Sequence, residues 1–218
     1  MLSEHGEIKD GDASPYSRAG KRLKKIEDIN DAAAMVFVRD GYAQFSARKV
    51  AKELGISLNN LQHYCGNTEN LCRQMIAAKL GHYVESVNQL VEQARAETPI
   101  EKLAVAIREN SAATLDSATG KFFFQMGALA SHDASIKALM VEQYDQFLMG
   151  FCRLITEISP QLPSDQVRTY AALIATQIDG IFFYQDQLNP TSGVREQMVE
   201  TAIALWTTIL MPAKADPL

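Results

Sequence analysis

The chain has 218 residues, 47% of them hydrophobic, and a formal net charge of −5. That length suits one domain or two small ones, because a single core stops growing near about 250 residues. No apolar run reaches the roughly 18 residues a membrane span needs, Met1 to Asp12 lacks the basic start and apolar core of an export signal, and Cys65, Cys72 and Cys152 form no C-x-x-C, so the expectation is a cytoplasmic protein without membrane contact, disulfide framework or metal.

Residues 1–16 are polar, rich in Gly, Ser and Asp and without period, and are expected as a mobile tail. From 21 to 40 the apolar residues Leu23, Ile26, Ile29, Ala33, Val36 and Phe37 fall at steps of three and four, which predicts one helix with a buried stripe, stopped by Gly41. Ser46 caps a second short helix through Leu54, Gly55 breaks it, and Ser57 caps a third through about Tyr64. Asn67 then caps a long helix to about Ala96, with Glu69 in its first turn, where a negative charge suits the helix dipole.

Thr98-Pro99-Ile100-Glu101 forms a capping box with Pro at the first helical position. Further helices are expected over 101–116, 121–131, 134–158, 164–188 and 193–210. Gly120, Asp133 as a cap, Pro160 with Pro163, and Asn189-Pro190 before Ser192 mark the breaks between them. No alternating strand pattern competes, so the expected fold class is all-α. The expected organisation is a helix-turn-helix head over 17–66, a larger helical unit over 67–212 and a short tail over 213–218.

Charge is distributed unevenly. Residues 16–52 hold nine basic and four acidic side chains, whereas residues 71–218 hold eleven basic and sixteen acidic ones. A basic head on an acidic body suits a polyanion-binding unit whose body stays off the phosphates, although a solvated basic helix end gives the same pattern.

The stretch from Ala47 to Tyr64, ARKVAKELGISLNNLQHY, adds a second signal. Val50, Ala51, Leu54, Ile56 and Leu61 take its inward positions. Two steeply crossing helices need a small residue at their contact and a residue tolerant of positive φ in the turn, and Ala51 and Gly55 supply them. An ordinary core hairpin would carry an apolar outer face on its second helix. Here that face is Asn59, Asn60, Gln62 and His63, side chains that hydrogen-bond base edges and phosphates.

Together with Ile26, Ala32-Ala33, Phe37, Gly41-Tyr42, Ser46, Val50-Ala51, Leu54-Gly55-Ile56-Ser57, Leu61, Tyr64, Glu69 and Leu71, this segment resembles the tetracycline-repressor (TetR) family of bacterial regulators over about residues 22–75. The resemblance implies a three-helix DNA head, a ligand-binding helical body and a homodimer built from the last two helices. It also implies that Ser46, Arg48 and Lys49 contact double-stranded DNA at the start of the second helix. Ser57, Asn59, Asn60, Gln62 and His63 would line the recognition surface, with Tyr64 and Thr68 on phosphates. Arg48 suits either a guanine, through its planar fork, or a phosphate clamp. The sequence departs from the family pattern where Gln62 replaces Tyr, Cys65 replaces Phe, Asn59 replaces Gly and Thr68 replaces a phosphate-contacting Lys.

Residues 122–184 are crowded with Phe and Met. This is either plain core or an apolar pocket for a small, mainly apolar effector, lined by Phe122, Phe123, Met126, Met140, Tyr144, Phe147, Phe151, Gln177 and Phe182. His132, Asp179 and Gln185 are further polar groups that would orient such a ligand. The last two helices carry Ile174, Ile178, Ile181, Ala202, Leu205 and Ile209, the expected dimer interface, whose twofold symmetry would make the operator a near palindrome.

Cys65 and Cys72 are either small apolar fillers or a redox pair. No H-E-x-x-H, Gly-rich phosphate loop or G-x-S-x-G occurs, so neither catalysis nor a cofactor is expected. The expected function is a ligand-responsive DNA-binding transcriptional regulator that acts as a repressor, with a helical adaptor that binds no DNA as the alternative.

Overall fold

The computed structural model describes residues 17–113, 117–188 and 193–211; the expected tails, the end of the fifth helix and the Asn189-Pro190 break lie outside them. The described residues form helices joined by turns, with no strand among them. They form α1 Arg18–Asp40, α2 Ala47–Glu53, α3 Leu58–Cys65, α4 Thr68–Gln93, α5 Pro99–Ala113, α6 Ser117–Ala130, α7 Ala134–Ile158, α8 Ser164–Leu188 and α9 Val194–Leu210. Helices α1 to α3 make the N-terminal head, and α4 to α9 make the body.

Local capping sets most boundaries. The side chains of Ser46, Ser57, Asn67 and Asp133 accept hydrogen bonds from backbone amides of the helices they precede. In the capping box, the Glu101 carboxylate accepts from the Thr98 amide at 2.9 Å and the Thr98 hydroxyl accepts from the Glu101 amide at 3.4 Å. Two boundaries differ from the pattern. α1 starts three residues early because Ser17 caps it, its hydroxyl accepting from the Gly20 amide at 2.9 Å. α6 begins at Ser117 and passes through Gly120, which is buried there. A helical glycine destabilises by about 1 kcal/mol relative to Ala, which packing can offset, so Gly120 does not act as a break.

Two apolar clusters organise the molecule. The first joins Ile29, Val36 and Phe37 of α1 to Leu61 of α3, to Leu71, Met75 and Ile76 of α4, and to Phe122 and Ile136 of the body. A head of three short helices buries little surface alone, so leaning on the body completes its core. The Phe37 and Phe122 rings meet edge-on at 5.8 Å, and the Gln125 amide donates to the Val38 carbonyl at 3.2 Å.

The second cluster gathers Ile107, Ile155, Ile174, Ile178 and Trp206 between α5, α7, α8 and α9. Here the expected dimer face needs correcting. Ile174 and Ile178 are 1% and 2% exposed, because α5 and α7 of the same protomer already cover that stripe of α8.

Candidate nucleic-acid interface and ligand cavity

The α2–α3 turn is closed by the Ile56 amide donating to the Ala51 carbonyl at 3.0 Å. Gly55 sits there at φ +64° with nothing within 4 Å of where a Cβ would lie, so backbone angle, not space, calls for glycine. Ala51 and Leu61 turn inward, leaving Asn59, Asn60, Gln62 and His63 exposed along α3. Among the described residues, the side chains of Arg48, Asn59, Asn60 and Gln62 have no intramolecular hydrogen bond or ion pair, which leaves their donors free for another molecule. Ser57 caps α3, its hydroxyl accepting from the Asn60 amide at 3.2 Å.

The remaining expected contacts are partly occupied within the head. The Lys49 ammonium lies 2.9 Å from Asp40, which also pairs with Arg39 at 2.9 Å. Arg39, then Lys49, hold the Asp40 carboxyl down from 3.8 to about 2. Tyr64 is half-buried under the Arg22 guanidinium, 5.5 Å from its ring centre, and edge-on to His63. Ser46 caps α2, accepting from the Lys49 amide at 3.4 Å. The exposed Thr68 hydroxyl accepts from the Ala47 amide at 3.3 Å, so the N-termini of α2 and α4 lie together. Both helix dipoles there favour a phosphate. Cys65 and Cys72 are buried, and burial pushes the Cys72 thiol up to about 11, which keeps it protonated and suits the apolar-filler reading.

In the body, α4, α6, α7 and α8 enclose a cavity of about 430 Å³. Phe123, Met126, Met140, Tyr144, Phe147 and Phe182 all border it. Three residues expected with them do not. Phe122 turns toward Phe37; Phe151 packs in the second cluster, edge-on to Phe147 at 5.1 Å; and Gln177 accepts from the Trp206 indole at 2.5 Å on another face of α8. His132 is exposed in the turn before α7, and the Gln185 side chain lies outside the described residues. The wall also holds Tyr83 of α4 and Gln143 of α7, which the Phe and Met crowding gave no reason to single out.

Residues 29–75, from the middle of α1 through α2 and α3 into α4, match the family model of bacterial regulatory proteins, tetR family. That stretch of the chain carries a head of the tetR type. The fatty acid metabolism regulator protein of Bacillus subtilis (strain 168) is 31% identical over 90 residues, 41% of this chain and 45% of that protein, so the match spans less than half of that relative. In fold, the chain is similar to a transcriptional regulator of Pseudomonas aeruginosa PAO1, with a TM-score of 0.74 at 15% identity over 88% of this chain and 92% of that one. It is also similar to the regulator FadR from Bacillus subtilis in complex with stearoyl-CoA, with a TM-score of 0.66 at 20% identity over 82% of this chain and 97% of that one.

The outer side of α8 and α9 is open. Leu173, Phe183, Leu205 and Ile209 are exposed there, Leu173 at 48% and Leu205 at 46%. Ile181 and Ala202 are buried but border the groove between the two helices. Gly180 and Phe183 border both this groove and the ligand cavity.

Proposed function

We propose that the chain represses transcription as a homodimer bound to a near-palindromic operator, and that a small, mainly apolar ligand entering the body cavity lowers its operator affinity. Residues 17–66 serve as the DNA head, and 67–212 as the ligand-binding and dimerisation unit. Ser46, Arg48, Lys49, Ser57, Asn59, Asn60, Gln62, His63, Tyr64 and Thr68 form the DNA-facing surface in this reading. Leu173, Leu205 and Ile209 would meet their counterparts across the twofold axis, since exposed apolar faces of this kind mark association surfaces.

The observation that carries the reading is the course of α4. At its start the Thr68 hydroxyl is bonded to the first residue of α2, and fifteen residues on Tyr83 borders the cavity. That is about 22 Å along one rigid element. A ligand that shifts the far end of α4 therefore moves the head, provided it binds the DNA-incompetent arrangement more tightly. The likeness to a regulator seen with stearoyl-CoA supports an apolar effector.

The test is selection of genomic fragments by the purified protein, followed by footprinting. A protected near-palindrome with two half-sites supports the proposal; no fragment retained above competitor DNA at physiological salt refutes it.

A further inference from the structure

The chemistry of the body cavity is one-sided. Phenylalanine faces make up much of its wall, and Phe124 stacks on Phe182 at 4.9 Å while meeting Phe183 edge-on at 5.8 Å. Four polar side chains border it: Tyr83, Gln143, Tyr144 and Asp179. Both phenolic protons are already engaged, Tyr83 donating to the Asn110 amide oxygen at 3.0 Å and Tyr144 donating to the Asp179 carboxylate at 2.9 Å. What the wall still offers is acceptors. These are the remaining lone pairs of the Asp179 carboxylate, since the Gln143 amide oxygen has no accessible surface.

No Lys, Arg or His is among the described residues bordering the cavity, and none pairs with Asp179. Asp179 keeps accessible surface, yet enough protein surrounds its carboxyl that burial pushes it above the usual carboxylate range, against the hydrogen bond from Tyr144.

We propose that the cavity takes an apolar amine in its ammonium form, whose N–H groups meet the Asp179 carboxylate while its hydrocarbon body lies against the phenylalanine rings. This rests on the cavity being the ligand site. An ammonium neutralises a carboxylate with no counter-charge and is attracted by aromatic faces. A carboxylate ligand does the opposite. It brings a second negative charge beside Asp179.

The experiment compares dodecylamine, dodecanol and dodecanoate, each below its micellar concentration, by calorimetric titration into the full-length protein and into Asp179→Asn. The amine should bind the wild type at least about tenfold more tightly than the alcohol, with the carboxylate weakest, and Asp179→Asn should erase most of the amine's advantage, because it removes the charge that the ammonium pairs with. Wild-type binding led by dodecanoate or dodecanol overturns the amine and leaves the cavity standing as a ligand site. Binding of none of the three overturns both.

Discussion

The Thr68 hydroxyl accepts a hydrogen bond from the Ala47 amide, joining the first residue of α4 to the first residue of α2 across twenty-one positions of sequence. Thr68→Val removes that acceptor and should lower stability by about 1 kcal/mol, read from chemical denaturation. Thr68→Lys adds a cation where two helix N-termini meet. Operator affinity should then fall more steeply with salt, by about one unit of logarithmic slope for each protomer. An unchanged slope would remove this position from the phosphate contacts.

Arg48 and Asn60 are exposed, and their side chains are bonded to nothing else among the described residues. Arg48→Ala and Asn60→Ala should each weaken operator binding by about 1 to 3 kcal/mol. Thermal unfolding should stay within experimental error of the wild type. A fall in both affinity and melting temperature would mean a structural role instead.

On α8 and α9, buried and exposed positions should separate folding from association. Ile178 is 2% exposed within its own protomer, so Ile178→Glu should disrupt the fold, with loss of helical circular dichroism. Leu205 is 46% exposed, so Leu205→Glu combined with Ile209→Glu should leave helicity intact and shift sedimentation from dimer to monomer. A folded double variant that stays dimeric would place the interface elsewhere.

Acid should expose the ion pairs of the head. The Asp40 carboxyl is held at about 2 against an ordinary 3.8, so its contribution is complete above about pH 4 and lost as pH falls toward 2. Asp40→Asn should therefore flatten the pH dependence of stability over that interval. It also releases Lys49 from its 2.9 Å contact, so operator affinity at neutral pH should not fall. Unaltered acid unfolding would show that Arg39 and Lys49 find other partners.

What was legible in the sequence follows from the range of the interactions involved. Caps act within three residues, so Ser46, Ser57, Asn67 and the Thr98–Glu101 box could be read directly, as could the Ala51–Gly55 turn. The crowding of Phe and Met on α6 and α7 pointed to the cavity region without resolving which side of each helix faces it. Phe122 and Phe123 are adjacent, so on a helix they point about 100° apart, one toward Phe37 and the other into the cavity.

The α8 stripe misled for a related reason. An apolar helix face reveals that something covers it, not whether the cover is the same chain or a second copy. Ile174 and Ile178 are covered from within, whereas the one exposed Leu of that region, Leu173, lies between Ala172 and Ile174 and looked like part of the same run. Tyr83, Gln143 and Asp179 meet only because four helices converge, and no local pattern encodes that convergence.

Gly180 and Phe183 lie on the cavity and on the open groove of α8 and α9 at once, with Phe183 51% exposed in the single chain. Whatever is laid against that groove therefore rebuilds one wall of the binding chamber. If the chain pairs through this groove, the affinity for a small molecule becomes a function of how much of the protein is present. Dilution below the point where pairs separate would change it, and the small molecule in turn would shift that point by the same factor, because linkage between two binding equilibria is reciprocal.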